Sequence, residues 1–585
     1  MPLITPRKSA TNYDVIVVGS GAGGGMAAYV LTQQGLRVLM LEAGRNYEPQ
    51  TETPMFQTNA DAPLRGTATP DKPFGFFDST VGGGWTVPGE PYVVNRGPGT
   101  KWEEASDWKA KETKQNFMWW RPRMLGGRTN HWGRISLRMG PYDFKPKARD
   151  GLGLDWPFEY KDIEPWYDKT EALVGVYGDN HGLENTPDSL NGSLQPPPKP
   201  RAHEMLIRKH AQRLGVPVIP SHMAILTKPL NGRAACFYAT PCGRGCSIGA
   251  NFQSTTVLLP PAVATGKLDI MTDAMVREVI VGKDGKATGV LYIDKQTGKE
   301  ERATARVVVL AASGCESARI MLNSKSALFP NGAGNGSGKI GRYLMDSVGS
   351  NLGAHIPAME NTPAYNADGT SSMHVYSPWW LYKEQLAGKL GFARGYHIEI
   401  GGGPKMPEMS VASATGDSYG KKFKEEARRH FGASVGFAGR GEMIPNDDCY
   451  CEIDPEKKDK WGIPVLRFYW KWSDHEKKQA VHMQQTFAEI IEAMGGQAKP
   501  ELDPEKAIMA GGTIIHEVGT TCMGEDRKTS VLNQWSQSWE IPNLFVTDGG
   551  PFVSNADKNP TLSIMAICMR SCTYLAEEMR KGNIG

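Results

Sequence analysis

The chain has 585 residues, of which 66 are basic and 63 acidic, so its formal net charge is +3 at pH 7. This length is too great for one ordinary hydrophobic core and predicts two or more domains, and the near balance of charge gives no argument for a nucleic acid or an anionic membrane as partner. The sequence contains no apolar run of about 18 residues that could span a membrane, residues 1–13 lack the apolar core of a signal peptide, and an odd number of cysteines does not favour a disulfide framework.

A strand–glycine–helix–strand unit is predicted near the N-terminus. Residues 15–18 form an apolar run typical of a buried strand, a helix follows, and a second strand leads to Glu42. Between the first strand and the helix stand Gly19, Gly21 and Gly24, spaced as G-x-G-x-x-G. In such a unit the glycines allow a tight turn, close approach of a pyrophosphate and close helix–strand packing. The helix N-terminus favours phosphate, and the acid accepts hydrogen bonds from an adenosine ribose.

A second glycine pair, Gly126-Gly127, follows a long stretch that we interpret as loops, residues 44–99. Two adjacent glycines permit a close approach of the backbone to a ligand. Asn130 and His131 come directly after them, which makes both candidates for the same site.

Three cysteines, Cys236, Cys242 and Cys246, lie within one loop rich in glycine. Thiolates at such spacing are typical of a metal or cluster site. Zinc usually takes four ligands and no histidine lies nearby, so three thiolates suit a [3Fe-4S] cluster better; the alternative is three unrelated thiols. Cys568 and Cys572, four residues apart on the last predicted helix, are interpreted as core thiols.

The middle of the chain predicts further strands and helices. Val276 opens a predicted antiparallel hairpin, and a buried strand over 306–312 leads to Gly314 and a helix, which repeats the strand–glycine–helix pattern. Helices are also predicted near 421–430 and 480–494.

The C-terminal part again predicts a strand, a turn with glycine and a helix, as in the first unit. A strand over 544–547 leads to Asp548 and Gly549, and Asn559-Pro560 opens a long helix. Asn559 is predicted as the N-cap, with Pro560 at the first helical position.

Together these pieces resemble the glucose–methanol–choline (GMC) flavoprotein oxidoreductases, over most of the chain. The motifs that carry the resemblance are Gly19-x-Gly21-x-x-Gly24 with Glu42, Leu125-Gly126-Gly127, Val276, Ala311-Ala-Ser-Gly314 with Ser317-Ala-Arg319, His516-Glu-Val-Gly-Thr-Thr-Cys-Met-Gly524, and Asp548-Gly549 followed by Asn559-Pro-Thr561. Three more segments look most like bacterial sugar and polyol dehydrogenases, such as gluconate, sorbitol, fructose, FAD glucose and glucoside 3-dehydrogenases; they are Pro141-Tyr-Asp-Phe144, Asp155-Trp-Pro157 and Lys460-Trp-Gly-Ile-Pro464.

The resemblance implies an α/β fold with two domains. The expected Rossmann-like FAD-binding domain is discontinuous and takes residues 11–150, 251–350 and 505–585. The expected substrate-binding domain is built on an antiparallel sheet, includes the cysteine-rich loop and takes residues 151–250 and 351–504.

The resemblance also implies a set of site residues. The expected FAD contacts are Gly19, Gly21, Gly24, Glu42, Gly126, Gly127, Asn130, His131, Val276, Asp548, Gly549, Asn559 and Thr561. His516 is the expected catalytic base, because a neutral histidine can take a hydroxyl proton near neutral pH. Asn559 is its expected partner on the substrate oxygen. For His131 two roles stay open, a covalent bond to the flavin and plain flavin packing.

The implied activity is oxidation of a sugar or glycoside hydroxyl by hydride transfer to the flavin, with glucoside 3-dehydrogenase among the candidates. Electrons would then pass through the cysteine-bound cluster to a cytochrome or another acceptor. The alternatives are an oxidase that uses O₂ without a cluster and a flavin-binding electron-transfer subunit without catalysis. By the same resemblance we expect a small partner subunit and export to the periplasm as a folded complex, or a cytoplasmic location if no partner exists.

Overall fold

The computed structural model of the protein describes residues 12–53, 87–95, 99–105, 116–237, 242–363, 373–404 and 419–585. Part of the segment predicted as loops (44–99) and part of the cysteine-rich loop therefore lie outside the described residues. The strands are β1 (Tyr13–Val18), β2 (Val38–Leu41), β3 (Val93–Val94), β4 (Glu103–Glu104), β5 (Ile219–Pro220), β6 (Leu268–Met271), β7 (Ala274–Val281), β8 (Ala287–Asp294), β9 (Glu300–Leu310), β10 (Val348–His355), β11 (Val375–Ser377), β12 (Tyr396–Gly402), β13 (Ser434–Gly441), β14 (Tyr450–Lys458), β15 (Pro464–Tyr469) and β16 (Leu544–Val546).

Helices connect these strands and cover the sheets. They are α1 (Ala22–Gln33), α2 (Pro49–Glu52), α3 (Pro146–Asp150), α4 (Tyr160–Val174), α5 (Ala202–Arg213), α6 (Ser254–Val257), α7 (Leu259–Ala264), α8 (Gly314–Asn323), α9 (Tyr382–Leu386), α10 (Gly420–His430), α11 (Asp474–Ala493), α12 (Pro504–Ala507) and α13 (Thr561–Arg580). None of the helices in the described ranges combines the length and the apolar character that a bilayer crossing requires.

The first sheet is built around β1, which pairs in parallel with β2 on one side and β9 on the other. Val15, Ile16 and Val17 are fully buried, as expected for a parallel strand that is covered on both faces. The strand order is β6-β2-β1-β9-β8-β7, with β16 also pairing with β9. The parallel core with α1 directly after β1 confirms the predicted α/β class and its Rossmann-like unit.

The second sheet is antiparallel, in the order β10-β13-β12-β11-β5. Strand β13, which pairs with β10 and β12, alternates buried and half-buried residues along most of its length, which is the pattern of a sheet with one covered face. Helix α11 packs against β10 and β13. It begins earlier than the 480–494 that the sequence predicts, because Ser473 accepts a hydrogen bond from His475 N and forms a capping box with Glu476.

A third sheet, in the order β14-β15-β3-β4, joins strands from distant parts of the chain. The parallel pairing of β15 with β3 matches Arg467 with Val93. The fold positions this sheet beside α8, which packs against β14 and β15. The boundaries that the sequence predicts for the two domains stay a prediction.

Candidate functional site

A cavity of about 690 Å³ lies where β1, β9 and β16 end and where α1 and α13 begin. Its volume falls within the range of small-molecule sites in proteins, roughly 300–1,000 Å³. Most of the residues that the sequence predicts for the site line it, namely Gly19, Gly21, Glu42, Gly127, His131, Val276, His516, Asp548, Gly549, Asn559 and Thr561. Gly24, Gly126 and Asn130 do not.

In the first glycine motif two glycines are packed closely against other backbone atoms, and one faces open space. Gly19 has a φ of +97°, and a Cβ there would collide with the carbonyl oxygen of Ala311. A Cβ on Gly24 would collide with the carbonyl oxygen of Gly19. A Cβ on Gly21 would meet no atom within 4 Å, so the open backbone of Gly21 faces the cavity at the start of α1. These positions match the roles of turn, close packing and ligand approach that the spacing predicts.

Glu42 closes the far side of this turn and is buried. Its Oε2 accepts hydrogen bonds from Ser20 Oγ at 2.5 Å and Ser20 N at 3.2 Å, and its Oε1 accepts one from Gly44 N at 2.7 Å. Burial raises the pKa of Glu42, and the bonds from Ser20 and Gly44 oppose that rise. Ser20 Oγ in turn accepts a bond from Gly126 N at 2.9 Å, so the two glycine motifs are tied together through one serine.

Asn130 braces the second glycine motif from behind. Its Nδ2 donates to the Leu125 carbonyl at 2.9 Å, and its Oδ1 accepts from Gln253 Nε2 at 3.1 Å. The side chain is fully buried. The structure therefore places this predicted cofactor contact one layer away from the cavity, where it holds the turn that carries Gly127.

His131 lines the cavity, and only one of its two ring nitrogens forms a hydrogen bond with the described residues. Its Nδ1 bonds the Gly243 carbonyl at 3.1 Å, so Nδ1 carries the proton, because a carbonyl can only accept. Its Nε2 is buried without a hydrogen-bond partner among the described residues. Burial lowers the pKa of His131 to about 4. The imidazole is thus neutral at neutral pH, with a lone pair on Nε2.

His516 and Asn559 meet at the cavity wall. Asn559 Nδ2 lies 3.2 Å from His516 Nε2, and Ser347 Oγ lies 2.9 Å from His516 Nδ1. Because an amide nitrogen donates, Nε2 accepts and Nδ1 carries the proton toward Ser347. The backbone N–H of His516 donates to Asp346 Oδ1 at 2.9 Å. Burial lowers the pKa of His516 to about 3, which Glu399 partly opposes. A neutral imidazole whose Nε2 is unprotonated can act as a base once a substrate hydroxyl replaces the Asn559 amide at that nitrogen.

Glu399 completes this group, and sequence motifs do not reveal it. Its Oε1 accepts from Asn559 Nδ2 at 3.2 Å, and its Oε2 lies 3.2 Å from Arg440 Nη2. His397 Nε2 lies 3.6 Å from Oε1. Burial raises the pKa of Glu399, but Arg440 and His397 outweigh it and hold that pKa well below its usual range. The one signal in the sequence is that His397 and Glu399 alternate with apolar residues on β12.

The last helix begins one residue later than the sequence predicts. Its N-cap is Pro560 and no side chain caps it, so the prediction of Asn559 as N-cap is wrong. The amide of Asn559 is instead engaged by His516 and Glu399. Thr561 lines the cavity, so the positive end of the helix dipole faces the cavity. The predicted start of the hairpin at Val276 is also two residues late, because the first strand of the hairpin begins at Ala274.

Two buried aspartates hold loops around the cavity. Asp346 accepts from the backbone N–H groups of Ile514 and His516, and burial raises its pKa to about 7. Asp548 lines the cavity and accepts from Ser317 Oγ at 2.5 Å and Gly550 N at 2.8 Å, and burial raises its pKa to about 6. Asp346, like Glu399, carries no motif in the sequence.

The cysteine-rich loop lies directly behind His131, because Gly243, which His131 bonds, stands between Cys242 and Cys246. Cys242 and Cys246 are buried and Cys236 is half-buried, while residues 238–241 lie outside the described part of the chain. Cys568 and Cys572 are buried on α13, as predicted for core thiols.

A buried arginine accompanies the cysteines. The guanidinium of Arg134 donates to the Cys242 carbonyl at 2.5 Å and to the Asn130 carbonyl at 3.0 Å. Its side chain forms no ion pair with a carboxylate among the residues that the structure describes. Burial lowers the pKa of Arg134, whereas Cys242 and Cys246 raise it. The carbonyls of Trp132 and Thr129 also accept from this guanidinium, so backbone oxygens satisfy the buried cation.

Comparison with known proteins identifies the family to which the chain is similar. Family models described as GMC oxidoreductase match residues 13–357 and 445–568. The chain is 29% identical to the 2-methyl-1,2-propanediol dehydrogenase of Mycolicibacterium austroafricanum, over 97% of this chain and 96% of that protein. It is 26% identical to the fructose dehydrogenase large subunit of Gluconobacter japonicus, over 97% and 98%.

Solved structures share the fold. A formate oxidase of Aspergillus oryzae superimposes with a TM-score of 0.64 at 12% sequence identity, covering 98% of this chain and 100% of that one. At this identity the likeness concerns the fold alone.

Proposed function

Because the chain belongs to the GMC oxidoreductases, we propose that it is an FAD-dependent dehydrogenase that oxidises a hydroxyl group of a sugar, glycoside or polyol. The observation that carries the proposal is the pairing of His516 Nε2 with Asn559 Nδ2 at 3.2 Å on the wall of the cavity. The two relatives named above act, by their names, on a diol and on fructose, which supports a polyhydroxylated substrate.

The residues around the cavity fit FAD. Gly21 leaves open space at the N-terminus of α1, where free N–H groups favour a pyrophosphate. Glu42 lines the same end of the cavity and can accept hydrogen bonds from a ribose. The buried lone pair of His131 Nε2 and the start of α13 lie on the cavity wall as well. When bound, FAD supplies the acceptor for the hydride.

The chain itself supplies the proton chemistry. A substrate hydroxyl that takes the place of the Asn559 N–H at His516 Nε2 can give its proton to that nitrogen. The contact of Ser347 with Nδ1 keeps the proton of the ring on that nitrogen and leaves Nε2 unprotonated, and Asp346 holds the backbone of His516. The imidazolium that forms is stabilised by the ionised Glu399 nearby. Asn559 can then donate to the substrate oxygen as charge develops on it.

The test is anaerobic reduction of the bound flavin by a panel of sugars, glycosides and polyols, including fructose and 2-methyl-1,2-propanediol, followed by identification of the product. We expect one class to bleach the flavin and to yield a carbonyl product. A flavin that no member of the panel reduces, while dithionite does, would favour the non-catalytic electron-transfer subunit instead.

We propose further that Cys236, Cys242 and Cys246 hold a [3Fe-4S] cluster, which would pass electrons one at a time to a cytochrome or another acceptor. The buried guanidinium of Arg134 supports an anionic group at this loop, because a net negative cluster would neutralise it. The bond from His131 to Gly243 supports a short path between the cavity and the loop. Iron and acid-labile sulfide per chain distinguish this proposal from an oxidase that uses O₂ without a cluster.

We also propose a small partner subunit and periplasmic export of the folded complex. The name of the relative from Gluconobacter japonicus, a large subunit, supports assembly with a further chain. Cell fractionation and co-purification test this proposal, and a cytosolic protein that purifies alone would contradict it.

Covalent attachment of the flavin is expected to use His131 Nε2, since Nδ1 is occupied by the Gly243 carbonyl. After acid precipitation the protein should stay yellow, and His131→Ala should release all flavin to the supernatant. The matched control is His222→Ala, which removes another buried histidine and should keep the pellet yellow. If the wild-type protein releases all its flavin, His131 packs against the flavin without a covalent bond.

Glu399→Gln should lower kcat about tenfold, a rise in activation free energy of about 1.4 kcal/mol. The negative charge of Glu399 raises the pKa of His516 and stabilises the imidazolium that forms in the reaction. Its removal lowers the pKa of His516, so the acid limb of the kcat profile should move to lower pH. The exposed Glu525→Gln is the control. An unchanged acid limb with reduced kcat would mean that Glu399 has only a structural role.

A further inference from the structure

Two histidines and a glutamate form a cluster on the surface of the second sheet. Ligand atoms of His355, Glu360 and His430 all lie within 4.8 Å of one another. His355 Nε2 lies 2.8 Å from Glu360 Oε1, and the rings of His355 and His430 are 4.5 Å apart. All three residues are half-buried. Two imidazoles and a carboxylate are a ligand set that divalent transition metals prefer.

The backbone already holds these residues together. His355 is the last residue of β10 and pairs with Ser434 of β13, four residues after His430. The N–H of Asn361 donates to the Arg429 carbonyl at 3.0 Å, and the N–H of Ile356 donates to the Ala433 carbonyl at 2.7 Å. The three ligands therefore come from segments that are fixed independently of any ion, which lowers the entropic cost of binding.

We infer that His355, Glu360 and His430 form a binding site for a divalent transition metal of the zinc class. The ion would join the end of β10 to the end of α10, with one position left open to water. Helix α10 has no buried residue, and a helix of this length is marginal without tertiary contacts. A metal at its last residue would add to the contacts that Arg429 and His430 already make at this end of the helix.

Arg429 contacts two of these three ligands. Its Nη2 lies 2.8 Å from His430 Nε2, and its Nε lies 3.4 Å from Glu360 Oε2. The metal competes with the guanidinium for these two ligands, since both are cations.

The site lies far from the cavity along the same strand. Ser347, which holds His516, directly precedes β10, and His355 ends it. At about 3.3 Å per residue the two ends are roughly 25 Å apart. Changes at the metal site are therefore expected to leave substrate oxidation unaffected.

The experiment titrates the full chain, with its flavin bound, with zinc by calorimetry. Wild type should bind one zinc more per chain than His355→Ala/His430→Ala, whose affinity at this site should fall at least about 100-fold. His181→Ala removes an exposed histidine elsewhere and should match wild type. X-ray absorption of the zinc bound only by wild type should show nitrogen and oxygen at about 2.0–2.1 Å and no sulfur at about 2.3 Å.

Arg429→Gln provides a second readout that does not depend on removing a ligand. Loss of the competing positive charge should tighten zinc binding. Equal zinc stoichiometry and affinity in wild type and the double histidine variant, or no saturable binding by wild type, would overturn the inference. So would weaker binding by Arg429→Gln.

Discussion

Replacing His516 by alanine should lower kcat by about two to four decades, the usual scale for general acid–base catalysis, while FAD stays bound. Nε2 of this histidine is the unprotonated ring nitrogen that the amide of Asn559 contacts on the cavity wall. Without it the hydroxyl proton has no acceptor at that position. The measurement is anaerobic flavin reduction by substrate in a stopped-flow instrument, with the flavin content checked by absorbance.

Two variants sharpen this test. His516→Gln keeps an amide near Asn559 and should be as slow as the alanine variant, because an amide cannot take the proton. Asn559→Ala removes a donor but leaves the base, so it should lose less activity than either. Near-normal turnover by His516→Ala would reject the assignment of the base, and so would a greater loss in Asn559→Ala.

Replacing Cys236, Cys242 and Cys246 together by serine should abolish most electron transfer to a cytochrome but leave flavin bleaching by substrate intact. Reduced FAD carries two electrons and a cytochrome accepts one at a time. The proposed cluster would pass these electrons on singly. The variant should lack iron, acid-labile sulfide and the electron paramagnetic resonance signal of the oxidised wild type. Its loop should also be more susceptible to proteolysis, because metal binding is coupled to folding.

Cys449→Ser is the matched control for this variant. Its thiol is buried and bonds the Lys471 carbonyl at 3.3 Å, which a serine hydroxyl can also do. It should retain iron and cytochrome reduction. An active wild-type enzyme purified anaerobically without iron would contradict the cluster and favour an oxidase or a dehydrogenase without one.

The local parts of the site follow from the sequence because short-range sterics determine them. The spacing predicts that Gly19 and Gly24 pack closely against other backbone atoms and that Gly21, between them, faces open space. The structure has this arrangement. The apolar run before Gly19 likewise predicts a strand that is buried on both faces, and β1 is such a strand. Gly24 packs against Gly19 within the same turn, and the sequence shows that contact directly; the contact of Gly19 with Ala311 follows from the parallel pairing of β1 with β9.

The long-range parts could not be predicted in the same way. Glu399 acts because β12 and β13 place it between Arg440 and Asn559, and nothing local to Glu399 encodes either partner. Asn559 before a proline is a good N-cap by local rules, yet its amide bonds a histidine and a glutamate from elsewhere in the chain. In both cases tertiary contacts outweigh local preference, which is common at functional sites.

The cavity is walled by helices that are far apart in the sequence, α1 and α13, and this has a consequence for folding. Cys568 of α13 donates to the carbonyl of Gly23 in α1 at 3.2 Å, across a sequence separation of 545 residues. The turn between β1 and α1 therefore stays without its opposite wall until the residues of α13 have been synthesised. The cavity can enclose a ligand on both sides only after α1 and α13 have come together, so its completion depends on a contact between segments that are distant in the sequence.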